Sequence, residues 1–467
     1  MSCLIPAFTD WSISNNLFIL SMDAIKRGRN AVQRLTITAM LISLGCSCSG
    51  PDRIEIRKVR RENRDIIEIE NDIYKTVLVP EITRLPLSYF FKLTGHEHFV
   101  HPRSLETPNE GFQMYGGVID SIPWVSGIVD GRRLPDKGYL YSSPWEYKTG
   151  KTQNSAWFYG ETSFDYNDPV TGKQSTLFFG KRITGYSRSS LLKMDYLIRN
   201  TGKTSAKFTF SMHSRTGIAE CDEGDYFYAP GEKCYVYYMN NMPELEREGI
   251  HPPCWAEWPL KEATEFIPGK EQRNIFVFVP SNWCVVGDDK YEEGLFFIAG
   301  PVELPGRQDI MKMGMFMSTS GYVVEPSPTY SIVGNPEEWD AEDSTISLEP
   351  GHECRFTVNL AAYKGISRAL LPDIKTVYPE YIVFDEPGIT IESGDVEIFG
   401  KVAFQGHGRL ILKAAERVLA EKDVFPGMFD LSSMGKIDCR ECIPCTGFTL
   451  LLKTDAGIKE LQMQKAL

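Results

Sequence analysis

The sequence lacks a basic patch and three common functional motifs. Its 467 residues include 50 Lys and Arg against 62 Asp and Glu, and no stretch of positive charge dominates. A nucleic-acid-binding surface normally needs such a stretch, so we predict no nucleic-acid partner. The Gly-x-Ser-x-Gly elbow, the P-loop and His-Glu-x-x-His are also absent, which argues against the hydrolase and nucleotide-binding classes that depend on them.

Long amphipathic helices are missing as well. From Ile54 onward most segments are short β-branched or aromatic runs bounded by turn residues, such as the runs on either side of Asn71-Asp72, and this pattern predicts strands. Many strands at short intervals indicate a sandwich or barrel. We therefore predict an all-β chain whose large domain, residues 51–368, exceeds the size of a simple sandwich.

A second, smaller domain is predicted at residues 369–467. It begins near a linker-like segment at 370–373, after which the strand-like runs become shorter. Their number and length suggest a small β-sandwich of immunoglobulin-like size. One stretch within it, at 414–422, fits either a helix or a strand and turn.

Residues 1–50 resemble a targeting segment. Four basic residues between positions 26 and 34 precede an apolar run at 35–45, which has signal-peptide length and is too short to span a bilayer comfortably. The Gly45-Cys46 junction that follows resembles a bacterial lipoprotein signal. We therefore expect an exported protein in the periplasm or at the outer membrane of a bacterium, with a lipid on Cys46 as its only membrane contact. Residues 1–21 are unlike the start of a signal segment, and translation from Met22 would fit this interpretation. The alternative to a targeting segment is a buried N-terminal helix.

Two clusters could supply metal ligands but fit other roles better. Cys439, Cys442 and Cys445 have the spacing of a thiolate site without an evident fourth ligand, and export favours a disulfide plus one free thiol. The acidic residues at 220–225 could bind Ca²⁺ through oxygen atoms, but their spacing is not that of a calcium-binding loop and favours a solvated loop. We predict no metal and no cofactor.

One strand–turn–strand unit is the most informative about function. Residues 194–200 form a predicted strand, Asn200-Thr201-Gly202 suits a tight turn, and a second strand ends in His213. This order resembles the galactose mutarotase-like (aldose 1-epimerase-like) superfamily over about residues 65–366. The resemblance implies a large antiparallel β-supersandwich. It also implies that His213 ends a hairpin and projects into a sugar-binding cleft.

Other segments match the same superfamily in the expected order. Arg84 lies where relatives often carry Gly-Gly-Arg, and the resemblance implies that it binds the ligand. Gly116 and Gly117 match a pair that lets the backbone approach the cleft, because glycine has no Cβ. Three aromatic residues could stack on a sugar or pack in the core: Trp124, Tyr139 and Trp145.

The resemblance implies an acid and a base on either side of the anomeric centre of a sugar. His213 would protonate the ring oxygen, since an imidazole titrates near neutral pH without tuning. A glutamate would take the proton from the anomeric hydroxyl. The corresponding region, 329–339, has no glutamate in its strand-like part, so Glu338 of the following loop is the candidate. The alternative is a non-catalytic surface lipoprotein for glycan recognition, or a scaffold or adhesion module.

Overall fold

The regular structure is almost entirely β-strand, so the predicted all-β fold is confirmed. The computed structural model describes residues 53–100, 117–122, 128–129, 132–133, 140, 145–167, 172–219, 224–260, 274–318, 323–329, 345–440 and 447–465. Within these ranges no helix has the length and apolar character needed to cross a membrane. The helical segments described are one short α-helix, α1 (Pro243–Arg247), and three 3-10 turns, Pro80–Ile82, Arg368–Asp373 and Leu431–Met434.

The first fourteen of the 36 described strands end at the strand that carries His213. In chain order they are β1 (Glu55–Arg61), β2 (Arg64–Glu70), β3 (Tyr74–Val79), β4 (Arg84–Phe91), β5 (His96–Glu97), β6 (Gly117–Ser121), β7 (Ile128–Val129), β8 (Arg132–Arg133), β9 (Glu146–Lys151), β10 (Ser155–Asn167), β11 (Gln174–Tyr186), β12 (Leu192–Asn200), β13 (Ala206–Phe208) and β14 (Ser211–Arg215).

The strands that follow complete the two large sheets. They are β15 (Asp225–Tyr228), β16 (Lys233–Asn240), β17 (Cys254–Glu257), β18 (Asn274–Val279), β19 (Trp283–Asp288), β20 (Glu293–Ala299), β21 (Pro301–Leu304), β22 (Arg307–Ile310), β23 (Lys312–Ser318), β24 (Val323–Thr329), β25 (Ile346–Leu348) and β26 (Glu353–Lys364).

Strands β1 to β5 form a five-stranded antiparallel meander in sequence order. The predicted hairpin at Asn71-Asp72 is confirmed, because β2 and β3 pair with Glu70 opposite Lys75. The Asn71 side chain fixes the turn: its Oδ1 accepts hydrogen bonds from the backbone N–H groups of Ile73 and Tyr74 at 2.8 and 2.7 Å. Such local bonds are the reason that asparagine favours turns.

Two large antiparallel sheets face each other across the main core. One has ten strands, in the order β15-β19-β20-β26-β12-β11-β10-β9 with the hairpin β21-β22 beside β26. The other has seven strands, in the order β17-β16-β18-β23-β24-β14-β6. Apolar side chains of both belong to one buried cluster, in which the rings of Tyr196 and Phe210 lie 5.4 Å apart. The predicted large antiparallel double sheet is thus confirmed.

The unit around Asn200 is not a hairpin, contrary to the sequence prediction. β12 pairs with β11 and β26 in the ten-stranded sheet, whereas β14 pairs with β6 and β24 in the seven-stranded sheet. The buried Asn200 amide stabilises the crossing, since its Nδ2 donates to the carbonyl groups of Thr204 and Leu348, both at 2.8 Å. Its Oδ1 accepts a bond from the Gly202 backbone N–H at 2.9 Å. The turn is local, but the choice of partner strands depends on distant parts of the chain.

Two smaller sheets follow. Their strands are β27 (Thr376–Val377), β28 (Tyr381–Glu392), β29 (Asp395–Phe404), β30 (Gly408–Ala414), β31 (Arg417–Val424), β32 (Gly427–Asp430), β33 (Ile437–Asp438), β34 (Phe448–Thr454), β35 (Gly457–Leu461) and β36 (Gln464–Lys465). Residues 414–422, which fit either a helix or a strand and turn, are the end of β30, a turn and most of β31.

These strands form a six-stranded sheet around β28 and β29 and a four-stranded sheet in the order β31-β30-β34-β35. The two sheets enclose an apolar cluster of their own. A separate cluster, which includes Phe296, Tyr363, Ile382 and Phe384, joins the six-stranded sheet to the outer face of the ten-stranded sheet.

Candidate functional site

β14 places His213 on the outer face of the seven-stranded sheet. Successive side chains of a strand point to opposite faces. Met212 belongs to the core between the two large sheets, so His213 lies on the face turned away from that core. It is opposite Ile119 of β6 and is 6% exposed. The imidazole is therefore almost buried, but outside the main apolar core.

Arg215 shares this outer face with His213. It lies two residues further along β14, is also 6% exposed, and is opposite Gly117 of β6. A guanidinium has only hydrogen-bond donors, whereas an imidazole can donate or accept a proton. Together they can bind an oxygen-rich ligand and move a proton on it. The sequence prediction missed Arg215, although the alternation from His213 would have placed both on one face.

Gly117 brings β6 directly against β4. Its φ is +81°, and a Cβ at this position would lie 2.3 Å from the Pro86 carbonyl oxygen and 2.5 Å from the Leu87 Cα. Only glycine accepts both the left-handed backbone and this close approach. The backbone that Gly117 approaches is therefore that of β4, whose first residue is Arg84. The strands that carry Arg84, Gly117 and His213 are thus neighbours.

Glu325 lies on β24, the strand on the other side of β14, and the sequence prediction missed it. Ser211 pairs with Thr329 across these strands, and the Ser214 hydroxyl donates to the carbonyl oxygen of Pro326, the residue after Glu325, at 3.0 Å. The sequence prediction placed the corresponding strand in the region 329–339, which starts where β24 ends, and chose the catalytic base, Glu338, from the loop that follows. The prolines of β24 disguise it as a loop, because proline cannot donate to a sheet ladder and usually marks a strand edge or a break.

The remaining predicted site residues are only partly described. Arg84 opens β4 directly after Thr83, which adopts the left-handed conformation with φ 55° and ψ 29° although it is not a glycine; the Arg84 side chain lies outside the described residues. So do Gly116, Trp124, Tyr139, Glu338 and Cys46. Trp145 is half-buried and packs edge-on against Phe179 at 5.3 Å between ring centroids. Its contacts are therefore those of a packing residue.

A polar network beneath the site links the two large sheets. The Lys181 ammonium, on β11, donates to Asp120 Oδ2 and to the Leu85 carbonyl oxygen, both at 2.7 Å. The Tyr196 hydroxyl donates to Asp120 Oδ1 at 3.0 Å and lies 3.3 Å from the Met212 sulfur. Lys181 is 0% exposed and Asp120 4%. These contacts reach β4, β6 and β14, the three strands next to the candidate site.

Burial governs the ionisation of this network. It lowers the pKa of Lys181, against the opposing effect of Asp120, because a dry interior disfavours the charged ammonium. It also raises the pKa of Tyr196 well above its ordinary value, and the Asp120 charge adds to that effect. Tyr196 is therefore a neutral hydrogen-bond donor to the Asp120 carboxylate.

A second polar cluster joins β5 to β20. Glu293 Oε1 lies 2.9 Å from His96 Nδ1 and 3.3 Å from His98 Nε2, and both Glu293 and His98 are fully buried. Burial acts to raise the pKa of Glu293, but hydrogen bonds with His98, Thr94 and His96, together with the charge of His98, outweigh it and lower that pKa. Both imidazoles contact the same carboxylate oxygen. We therefore interpret this cluster as one that stabilises the packing of β5 against β20.

Nothing in the described ranges has the arrangement of a metal site. No group of three or more His, Cys, Asp or Glu side chains there could hold an ion. Cys439 is buried in the C-terminal apolar cluster, and Cys442 and Cys445 lie outside the described residues. Of the predicted acidic loop, Asp225 is described and is fully buried at the start of β15.

Solved structures similar to this chain include proteins of the group that the sequence resembles. A galactose mutarotase-like protein from Clostridium acetobutylicum is 13% identical, with 67% of this chain and 99% of that protein covered and a TM-score of 0.49. A galactose mutarotase related enzyme from Lactobacillus acidophilus is 13% identical, with 64% and 98% covered and a TM-score of 0.43. No family model matches the sequence, and no curated protein matches it. The likeness concerns the fold alone.

Proposed function

We propose that this protein binds a carbohydrate on the outer face of the seven-stranded sheet and catalyses its anomeric epimerisation. One observation carries the proposal: β14 presents His213 and Arg215 side by side on the face turned away from the core. An imidazole with an adjacent guanidinium supplies a proton-transfer group and an anchor for ligand oxygens. The sequence resemblance to aldose 1-epimerases supports the choice of a sugar.

The reaction needs one acid and one base. His213, as imidazolium, gives its proton to the ring oxygen while a carboxylate takes the proton of the anomeric hydroxyl. The ring C–O bond breaks, and the anomeric carbon becomes an aldehyde. Rotation of the aldehyde and the reverse proton transfers close the ring with the other configuration. Two glutamates compete for the base: Glu338, which the resemblance suggests, and Glu325 of the neighbouring β24.

The test is NMR of anomeric exchange for galactose and glucose. We expect the wild-type protein to exceed the spontaneous rate and His213→Ala to lose about 10²- to 10⁴-fold of that acceleration. His352→Ala is the matched control, since His352 is an exposed residue in a turn, and it should retain the full rate. Glu338→Gln and Glu325→Gln are measured in the same way, and the variant that loses activity identifies the base.

Two outcomes would overturn parts of this proposal. A wild-type rate equal to the spontaneous one would eliminate catalysis for these sugars. Binding to a glycan array without catalysis would then identify a glycan-recognition protein, and a blank array would favour the scaffold or adhesion role.

We also propose that the protein is an exported bacterial lipoprotein anchored through Cys46. The support is the basic and apolar pattern that precedes the Gly45-Cys46 junction. In a bacterial host, the full-length protein should incorporate labelled palmitate and fractionate with membranes, and Cys46→Ser should do neither. Equal labelling of both forms would refute the anchor.

A further inference from the structure

A cleft that shares no lining residue with the His213 site lies between the β11–β12 connection and the four-stranded C-terminal sheet. Its volume is about 300 Å³, and its charged lining consists of Arg188, Arg409, Glu421, Asp423, Lys453 and Asp455. Leu410 and Leu412 of β30 point into the apolar cluster. By alternation, Arg409 lies on the opposite face of the sheet and faces this cleft. We call it the junction cleft.

One wall of the junction cleft is formed by an ion pair between Arg188 and Asp455. Arg188 has a φ of +54°, and its Nε and Nη2 donate to the two Asp455 oxygens at 3.0 and 3.1 Å. The Ser187 hydroxyl donates to the same carboxylate at 2.9 Å. Two parallel bonds from a guanidinium fix geometry as well as charge. This wall is therefore preorganised.

The floor holds two cations side by side. Arg409 on β30 lies directly opposite Lys453 on β34. Like charges at directly opposite positions of an antiparallel pair destabilise it. Arg409 uses Nε and Nη1 for Asp423 and Glu421, at 2.9 and 3.0 Å, whereas its Nη2 has no hydrogen-bond partner in the described part of the chain. Lys453 forms no ion pair with any described residue.

These groups define the chemistry of a ligand. An oxyanion between Lys453 and the Arg409 Nη2 would accept charge-assisted hydrogen bonds from both. The Glu421 and Asp423 carboxylates, which are 42% and 63% exposed in their side chains, can accept bonds only from donors such as hydroxyl groups. A cleft of this volume is at the small end of ligand pockets.

We propose that the junction cleft binds an acidic saccharide, with its carboxylate between Lys453 and Arg409 and its hydroxyl groups toward Glu421 and Asp423. The inference does not depend on the proposed reaction at His213, because the two sites share no residue.

The experiment is calorimetric titration of the full-length protein with galacturonate, glucuronate, galactose and sodium sulfate at low ionic strength. We expect a uronate to bind at least about tenfold more tightly than galactose or sulfate, and Lys453→Gln to weaken that binding at least about tenfold. Lys413→Gln is the matched control: Lys413 lies on the same outer face of β30 but outside the cleft. Arg409→Lys keeps the positive charge but loses the several N–H donors of the planar guanidinium. Its affinity for the uronate should lie between those of the wild type and Lys453→Gln.

Several results would overturn the inference. If galactose bound as tightly as the uronates, the ligand's carboxylate would contribute nothing to binding. If sulfate bound equally tightly, the cleft would be a general anion site and not a saccharide site. Absence of uronate binding, or unchanged binding by Lys453→Gln, would refute the site. His213→Ala should leave uronate binding intact, and loss of binding in that variant would assign the uronate to the His213 site instead.

Discussion

Replacement of Lys181 by methionine should strongly destabilise the protein. Methionine fills a similar volume, but it has no charge and no hydrogen-bond donor. The two bonds that the Lys181 ammonium donates at 2.7 Å, to Asp120 and to the Leu85 carbonyl oxygen, are therefore lost. Asp120, only 4% exposed, would then keep the Tyr196 hydroxyl as its one side-chain hydrogen-bond partner in the described part of the chain. Breaking a buried ion pair from one side costs about 3–5 kcal/mol, because it leaves a buried charge without compensation.

Removal of both charges should reverse most of that loss. The double variant Lys181→Met, Asp120→Leu replaces the pair with apolar groups, and such replacements are often neutral or stabilising by about 1–4 kcal/mol. The Tyr196 hydroxyl would lose a partner at a cost of about 1 kcal/mol. We therefore expect the double variant to be within about 2 kcal/mol of the wild type and clearly more stable than Lys181→Met.

The free energy of unfolding, measured in urea by fluorescence and circular dichroism, tests this reasoning. Lys148→Met is the control, since Lys148 is exposed on β9 and its change should remain within about 0.5 kcal/mol. A loss below about 1 kcal/mol for Lys181→Met, or a double variant as unstable as the single one, would refute the buried-pair argument.

Two further predictions concern a glycine and a carboxylate. Gly117→Ala should cost at least about 2 kcal/mol more than Gly95→Ala, because both have a φ of +81° but only the Gly117 Cβ would meet backbone atoms; equal losses in urea unfolding would contradict the close approach to β4. Glu293 has a folded pKa below its ordinary 4.5, so its stabilisation is complete above pH 4.5 and is lost as the pH falls through the folded pKa. As the pH is lowered from 4.5, the free energy of unfolding of Glu293→Gln should therefore fall less than that of the wild type. Parallel plots of unfolding free energy against pH for the two proteins would show that His96 and His98 do not stabilise the carboxylate.

Local features of the fold were predictable from the sequence because their causes are local. The Asn71 turn and the β2–β3 pairing follow from side-chain bonds within a few residues. The all-β character follows from runs whose period and composition suit strands. Arg215 could also have been predicted, since alternation alone places it on the face of His213.

The candidate site itself required the tertiary structure. The chain between Asn200 and His213 passes from one sheet to the other, and nothing in the turn residues distinguishes this crossing from a hairpin. Glu325 was hidden because its strand contains prolines, and its place beside β14 depends on pairing across more than a hundred residues.

The sequence by itself determined where strands and tight turns form, because hydrogen bonds and alternation over a few residues decide those. Only the tertiary structure decided which strands became neighbours, and with them the pairing of Lys181 with Asp120 and of Arg188 with Asp455. Those choices minimise the apolar surface exposed to water and the unpaired buried charge over the whole molecule at once, and such a sum cannot be evaluated one segment at a time.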